Sequence, residues 1–437
     1  MAGFNDVPLI QNLAVPAVCL LGSFLCFFPQ YVFHRSTLDP GPPSRAETVV
    51  FNGLIVCLWL AYFKTVTVDP GRYVFPGRVV EDDGKWCKKC VAPKPPRAHH
   101  CRHCGRCVPK MDHHCPWTRN CVSMTTFPHF LRFLFYTNLA LWMLGRLLWL
   151  RFYALWETRH LPSYLGPSLQ ALIALAITSL ICLFITLALG IMLFSTVKSW
   201  LCNCTMIEGW ELDRHEAAVE RGGRDWWDIT LPDGDKIRFE RVEFPYDIGF
   251  FSNMAQAMGT ANVLLWLFPL AGNPTIGKDG QGAGWTWREN GFNRKEGMWP
   301  PPDPAKIRQA ARAWPAAQND VDELLTDAGL SPEARKRAFK QRQEEDARRR
   351  KSLLAELEEV DDYEFVDDMD DCDDTRSHGS HDGTSDWMNS DGERLRDYGV
   401  DEEAEATDTD TLHPNDDDVP IGEILRRRKV THGGEAP

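Results

Sequence analysis

Four long apolar stretches restrict the folds that this sequence can adopt. Residues 7–33, 48–63 and 161–197 contain no charged residue, and the stretch that follows Arg132 is interrupted only by Arg146 before about Leu150. A helix of about 20 apolar residues spans a bilayer, and a bilayer core admits only helices or closed barrels. We therefore predict a polytopic α-helical membrane protein with four transmembrane helices, at residues 10–33, 48–68, 130–152 and 170–196.

The basic residues predict how these helices are oriented. Eleven Lys and Arg residues lie between the second and third helices, whereas the other two loops are short and nearly balanced in charge. Loops rich in basic residues stay on the cytosolic side of a membrane. This loop is therefore predicted to face the cytosol, and with four helices both termini lie there too.

The same loop is dense in metal-binding residue types, with seven cysteines and five histidines between Cys87 and Cys121. Mixed thiolate and imidazole ligands favour Zn²⁺, and a structural zinc takes four of them. Six cysteines and two histidines would fill two such sites. The close spacing favours metal binding in a reducing compartment over a disulfide framework.

One cysteine is then left over, and Cys115 is the natural candidate because it follows Asp112, His113 and His114 directly. A thiol beside an imidazole, itself beside a carboxylate, is typical of a nucleophilic thiolate. The alternative makes Cys115 a further ligand in a zinc module that only binds a partner. Nucleic-acid binding is disfavoured, because membrane orientation already accounts for much of the basic charge.

The chain beyond the fourth helix divides by composition. Residues 200–300 mix aromatic, glycine and charged residues, and we predict a partly ordered cytosolic region there. Residues 361–420 contain 23 acidic and 3 basic residues. A segment of this composition has too little apolar surface to offset the entropy cost of folding. Residues 301–437 are therefore predicted to be a charged, mostly disordered tail, with a helix near residues 331–359 that begins at Ser331-Pro332-Glu333.

The cysteine and histidine spacing resembles the DHHC cysteine-rich domain of protein S-acyltransferases across residues 85–135. It reads Cys87-x2-Cys90-x9-His100-Cys101-x2-Cys104-x2-Cys107-x4-Asp112-His113-His114-Cys115-x5-Cys121. The resemblance implies a protein S-palmitoyltransferase with ping-pong chemistry, in which Cys115 carries the acyl group, His113 is the general base and Asp112 orients it. It also implies two interleaved structural zinc sites, one held by Cys87, Cys90, His100 and Cys107 and the other by Cys101, Cys104, His114 and Cys121.

Three further segments resemble motifs of this family. They are Asp69-Pro70-Gly71, similar to its DPG motif, Thr205-Met206-Ile207-Glu208, similar to its TTxE motif, and residues 244–249 with Asn253, similar to its C-terminal PaCCT segment. The resemblance implies that Thr205, Glu208 and Asn253 support the site.

The TTxE-like motif departs from the family pattern at Met206, where the family has a second threonine. In the family this motif lies against the active-site aspartate, and a thioether donates no hydrogen bond. Either Thr205 takes that role here, or Asp112 is held less firmly.

The resemblance also implies substrates and partners. These are palmitoyl-CoA or another long-chain acyl-CoA as donor, the lipid bilayer, and client membrane proteins with cytosolic cysteines, with no nucleic acid. The long tail, with Arg394–Gly399, is similar to that of fungal members known as the Pfa4 type, which implies the endoplasmic reticulum membrane. Two other functions stay open, a non-catalytic membrane adaptor, favoured only by Met206, and an acyl-CoA hydrolase.

Overall fold

The computed structural model of this protein describes residues 8–35, 38–75, 85–162, 166–222, 226–230, 236–277, 280–301, 340, 388–389 and 392–401. Nearly all of them belong to one compact unit, formed by Met1–Trp227, Arg238–Pro302 and Trp387–Pro437. The second unit, Asp228–Ile237 and Asp303–Asp386, contributes residues 228–230, 236–237 and 340 to the described part. The helix expected near residues 331–359 lies outside the described residues apart from Lys340.

Within the described residues, four long helices form the framework: α1 (Pro8–Arg35), α2 (Arg45–Thr67), α3 (Phe127–Glu157) and α4 (Leu169–Cys202). Each contains a span long and apolar enough to cross a membrane. With 31 and 34 residues, α3 and α4 are about 46 and 51 Å long at 1.5 Å per residue. Both exceed the roughly 30 Å hydrocarbon core of a bilayer, which explains why they extend beyond the predicted transmembrane bounds.

Charged residues hold the ends of α2 and α3 that lie farthest from the loop between these two helices. Ser44 and Glu47 form a capping box at the start of α2, which satisfies two free backbone amides. Arg146 of α3 donates two hydrogen bonds of 2.8 Å to Oε1 of this same glutamate. Arg151 is buried with its guanidinium 3.5 Å from the centroid of the Phe33 ring. Both arginines therefore have partners, which lets α3 continue past them as one helix.

The described part of the loop between α2 and α3 folds into three short antiparallel hairpins. They are β1 (Trp86–Cys87) with β2 (Ala92–Pro93), β3 (His99–Cys101) with β4 (Arg106–Val108), and β5 (His113–Cys115) with β6 (Asn120–Val122). The register pairs His100 with Cys107 and His114 with Cys121. Because successive side chains of a strand point to opposite faces, His113 and Cys115 share one face of β5 while His114 points to the other.

The chain after α4 forms α5 (Met206–Gly222), strands β7 (Trp226–Thr230) and β8 (Lys236–Glu240), α6 (Phe250–Met258) and a 3₁₀ turn at Val263–Leu265. A second 3₁₀ turn, Leu395–Tyr398, lies within the tail that we predicted to be mostly disordered. Residues 399–401 run antiparallel to β3, where Val400 pairs with Cys101. This part of the tail therefore belongs to the ordered domain.

Candidate active site and metal centres

The hairpins bring eight predicted ligands into two clusters. Cys87, Cys90, His100 and Cys107 form the first, and Cys101, Cys104, His114 and Cys121 form the second; within each, all ligand atoms lie within 4.8 Å of one another. The interleaving follows from strand geometry, because the adjacent His100 and Cys101 of β3 point to opposite faces. This alternation is the physical reason for a pairing that ligand spacing alone left open.

The distances within both clusters fit a tetrahedral ion. Nδ1 of His100 lies 3.4, 3.3 and 4.0 Å from Sγ of Cys87, Cys90 and Cys107. Nδ1 of His114 lies 3.5 to 3.6 Å from the three sulfurs of its own cluster. With Zn–S near 2.3 Å and Zn–N near 2.0 Å, the edges of a tetrahedral site are roughly 3.5 Å between nitrogen and sulfur and roughly 3.8 Å between two sulfurs. The chain can therefore hold two metal ions of the zinc type, with all four positions of each filled by protein.

The other face of β5 carries the candidate catalytic residues. Nδ1 of His113 donates to Oδ2 of Asp112 at 2.8 Å. Among the described residues, its second ring nitrogen, Nε2, is buried and has no hydrogen-bond partner. Cys115, two residues along the same strand face, is only 3 % exposed. An oriented imidazole thus presents one free nitrogen on the strand face that carries a buried thiol.

The electrostatics of this pair favour proton transfer from sulfur to nitrogen. Burial opposes charge on His113, but Asp112 and Cys115 outweigh it and raise the pKa of His113 to about 10. Burial also opposes the Cys115 thiolate, yet the His113 imidazolium and the Thr118 hydroxyl lower the pKa of Cys115 below its ordinary value. The charged forms of the two side chains therefore stabilise each other.

The start of α5 holds the candidate aspartate. The backbone amide of Met206 donates to Oδ1 of Asp112 at 2.9 Å. Thr205 and Glu208 bond reciprocally, the Thr205 amide to Oε2 at 2.9 Å and the Glu208 amide to Oγ1 at 3.2 Å, which is a capping box. Thr205 therefore fixes the first turn of α5 rather than bonding Asp112, and the donor at position 206 is the backbone.

A buried ion pair joins α5 to the loop between α2 and α3. Nε of Arg97 lies 2.5 Å from Oε1 of Glu208, and its Nη2 lies 2.7 Å from Oε2, with the two side chains 1 % and 3 % exposed. The guanidinium is also 4.4 Å from the Tyr246 ring centroid and 4.7 Å from that of Trp287. Sequence reasoning missed Arg97, which it counted only as one of eleven basic residues.

Asn203 connects the end of α4 to this ion pair. It adopts a left-handed backbone conformation with φ 54°, which asparagine tolerates better than most residues. Its Oδ1 accepts from Lys110 at 2.5 Å, and its backbone oxygen accepts from Arg97 at 2.5 Å. Its Nδ2 donates to the Tyr246 carbonyl at 2.7 Å and to Oε1 of Gln256 at 2.8 Å. A single residue thus links α4, the loop and the C-terminal region.

Asn253, the third expected supporting residue, is fully buried in α6. Its Nδ2 donates to the Leu201 carbonyl and to Oδ1 of Asp247, both at 2.7 Å. Its Oδ1 accepts from the Ile248 amide at 3.0 Å. Asn253 therefore ties the segment before α6 to the last turn of α4.

The DPG-like segment fixes the beginning of the loop. Gly71 has φ +101°, and a Cβ there would lie 2.6 Å from Cγ of Pro109, so only glycine fits without a shift. Oδ2 of Asp69 lies 2.9 Å from Nη2 of Arg106. Oγ1 of Thr125, just before α3, donates to the Asp69 carbonyl at 2.7 Å. These contacts hold the two ends of the loop together near the helices.

The thiol lies against apolar side chains of the long helices. Cys115 packs in a buried cluster with Val122, Phe130, Leu134 and, partly buried, Phe127, Phe133, Leu189, Met192 and Leu193. The hydroxyl of Tyr62 in α2 donates to the Trp117 carbonyl at 3.0 Å, and its ring lies 5.1 Å from that of Phe133. The reactive face of β5 is thereby placed at an apolar surface formed by α3 and α4.

Comparison with known proteins identifies similar sequences, two of which match nearly the whole chain. A family description for DHHC palmitoyltransferase matches residues 80–213. Palmitoyltransferase PFA4 of Gibberella zeae is 61 % identical over 435 residues, covering 98 % of each chain. Palmitoyltransferase pfa4 of Neurospora crassa is 47 % identical with 97 % of each chain covered. PFA4 of Saccharomyces cerevisiae is 31 % identical over 65 % of this chain and 77 % of its own.

Proposed function

Because this chain belongs to the DHHC palmitoyltransferase family and is a protein palmitoyltransferase, we propose that Cys115 is the residue that carries the acyl group. The observation that supports this most directly is its position two residues from His113 on one strand face, with Asp112 bonded to that imidazole. The apolar cluster around the thiol suits a long acyl chain.

In the first step, the Cys115 thiolate attacks the thioester carbonyl carbon of a long-chain acyl-CoA such as palmitoyl-CoA. The carbonyl–sulfur bond of the donor breaks, and CoA leaves as a thiolate that takes the proton held on Nε2 of His113. Asp112 holds the imidazole by its Nδ1–H and stabilises its charged form. One thioester replaces another, so the step is close to isoenergetic.

In the second step, a cysteine of a client protein gives its proton to His113 and attacks the acyl-enzyme. Cys115 leaves as a thiolate and the catalytic pair returns to its starting state. Two half-reactions through a covalent intermediate predict ping-pong kinetics. The acyl chain stays in an apolar environment throughout, which is favourable because each buried CH₂ is worth about 0.8 kcal/mol.

We propose that the two clusters hold Zn²⁺ in a structural role. When bound, the ions would supply cross-links between the hairpins and no open coordination position for substrate. Cys115 belongs to neither cluster, which supports its assignment as nucleophile rather than ligand.

The proposed setting is a multi-pass membrane with the zinc loop and both termini in the cytosol, where client cysteines are reduced. The basic residues of the loop support this orientation. The endoplasmic reticulum is proposed on the family resemblance, and it is tested by imaging the tagged protein against markers of the secretory organelles.

The adaptor alternative drew its support from Met206. Since the backbone amide at that position bonds Asp112, the side chain gives no reason to expect a weakened site. A hydrolase differs from a transferase only in the acceptor of the second step, so the two are separated by comparing transfer to a client cysteine with release of free acid.

The experiment is self-acylation of the purified protein with labelled palmitoyl-CoA in detergent, read as label that hydroxylamine removes. We expect label on the wild type and none on Cys115→Ala, with equal zinc content in both. Label on Cys115→Ala, or none on a zinc-loaded wild type, would overturn the assignment of Cys115.

A further inference from the structure

A short part of the acidic tail returns to the catalytic domain. We name residues 393–401 the tail strap. The Arg102 amide donates to the Gly399 carbonyl at 3.1 Å, and the Asp401 amide donates to the His100 carbonyl at 2.8 Å. The strap thus pairs with β3 through an isolated antiparallel bridge, which satisfies backbone groups that an edge strand would leave free. Nζ of Lys89 and Oδ2 of Asp401, 2.5 Å apart, add an ion pair at its end.

The strap also contributes buried apolar side chains. Leu395, Tyr398 and Val400 are buried in one cluster with residues of the loop and of α5, which are Cys101, Val108, Met111, Cys121, Ile207 and Trp210. The indole nitrogen of Trp210 donates to the Glu393 carbonyl at 3.0 Å. The strap therefore touches the zinc loop on one side and α5 on the other.

Two members of this cluster flank the bond that orients the catalytic aspartate. Met111 immediately precedes Asp112, and Ile207 immediately follows Met206; both side chains are fully buried. A clamp on these two neighbours fixes the separation between the Asp112 carboxylate and the Met206 amide. Among the described residues that form the apolar cluster around Cys115, none belongs to the strap, so its effect is expected on orientation rather than on acyl-chain binding.

The strap has a defined conformation suited to this contact. The Arg394 amide donates to Oδ2 of Asp397 at 2.9 Å at the start of its 3₁₀ turn, and the Tyr398 hydroxyl bonds Glu393. Gly399 has φ +82°, and a Cβ there would lie 2.7 Å from Cβ of His114. Its backbone approaches the loop so closely that a larger residue requires a shift.

We propose that the tail strap is a positioning element of the active site in cis, which clamps α5 to the zinc loop and thereby holds Asp112 against the Met206 amide. The proposal rests on the proposed function insofar as Asp112 orients the general base. The long connection before the strap does not oppose it, because the entropy cost of closing a loop grows only logarithmically with its length.

The test uses the full chain and a matched pair of variants. Gly399→Ala places a methyl group against His114, whereas Gly392→Ala, also at positive φ (+76°), meets nothing within 4 Å. We expect Gly399→Ala to lower the rate constant of self-acylation about tenfold, with the half-saturating palmitoyl-CoA concentration and the zinc content unchanged. Gly392→Ala is expected to match the wild type in all three quantities.

Hydrogen exchange reads the positioning directly, without activity. In Gly399→Ala the amides of Arg102 and Asp401 should exchange faster because the strap is released, and the amide of Met206 should exchange faster with them. If the strap amides are released while the Met206 amide stays protected and the rate is unchanged, the proposal is wrong. This readout is independent of Cys115, so it distinguishes a failure of the strap from a failure of the proposed function.

A second design guards against misfolding of the point variant. A chain ending at residue 387 lacks the strap, and a synthetic peptide of residues 387–402 can be added in trans. Restoration of the self-acylation rate and of Met206 protection by the peptide supports the proposal. A truncated chain that is fully active without peptide would overturn it.

Discussion

The backbone amide of Met206 donates a 2.9 Å hydrogen bond to Oδ1 of Asp112, while Oδ2 of the same carboxylate accepts from His113. Both oxygens of the carboxylate are therefore bonded, one to the first residue of α5 and one to the proposed general base. A backbone donor is present whatever side chain stands at position 206, so the departure from TTxE leaves this contact in place.

The first prediction separates the backbone of Met206 from its side chain. Met206→Thr, which restores the family residue, should change the self-acylation rate less than twofold. Met206→Pro removes the amide hydrogen at the first helical position, where proline is well tolerated, and leaves Oδ1 without its donor. We expect the rate to fall by about one to two orders of magnitude, since a lost hydrogen bond to a charged group costs about 1.5 to 3 kcal/mol.

Circular dichroism and zinc content serve as controls for these two variants, because the helix and the metal clusters should be intact in both. A Met206→Pro protein with normal zinc and the wild-type rate would show that the amide does not matter. A large defect in Met206→Thr would show instead that the thioether has a role of its own.

The membrane helices and the number of metal ligands could be predicted because both depend on local patterns, whereas the division of the ligands into two clusters came from the family resemblance. Charge-free stretches of sufficient length indicate spans wherever they occur, and ligand number follows from counting. The helix ends were harder to predict. Arg146 and Arg151 look like barriers in the sequence, yet Glu47 and the Phe33 ring satisfy them from other elements, and those partners are set by packing.

The second prediction concerns the buried pair of Arg97 and Glu208. Glu208→Gln leaves a buried guanidinium without its counter-charge, and removing one partner of such a pair costs about 3–5 kcal/mol. We therefore expect the unfolding midpoint of Glu208→Gln in detergent to be lower than that of the wild type. Unfolding is monitored by tryptophan fluorescence. The double variant Arg97→Met with Glu208→Leu removes both charges. Its loss of stability should therefore be smaller than the sum of the losses of Arg97→Met alone and Glu208→Leu alone.

A double-mutant cycle on these two positions measures the coupling free energy directly. The 2.5 and 2.7 Å contacts predict a favourable coupling free energy, and additive effects would contradict it. The pairing of Arg97 with Glu208 could not be predicted from the sequence, because the two residues lie 111 positions apart and only the fold brings them together. The strap was missed for a related reason, because the acidic composition around it hides a few buried apolar residues.

The third prediction is a pH dependence of stability from Lys110. Burial and the nearby Arg97 charge lower the pKa of Lys110 to about 7, whereas an unfolded lysine titrates near 10.4. Between these values the unfolded chain binds more protons, so the contribution of this group to stability rises with pH. The unfolding midpoint of the wild type should therefore gain relative to that of Lys110→Met as the pH increases from 7 to 10.

The control for this prediction is an exposed lysine of the same loop, Lys88. Lys88→Met should show the same pH slope as the wild type over the window. If Lys110→Met and the wild type run parallel across it, the buried amine does not titrate there.

The last prediction concerns the second metal cluster, whose ligand Cys121 lies in the same hairpin as Cys115. Cys121 pairs with His114 across β5 and β6, and Cys115 pairs with Asn120 in the same hairpin. Cys121→Ser should therefore remove one metal ion and disturb the strand that presents the thiol. We expect zinc analysis to give about two ions per chain for the wild type and one for the variant, with self-acylation lost.

Cys57→Ser, which changes a partly buried cysteine in α2, should keep both ions and most of the activity. A Cys121→Ser protein that retained two ions would contradict the ligand assignment, and one that lost an ion yet acylated normally would show that this cluster does not position Cys115.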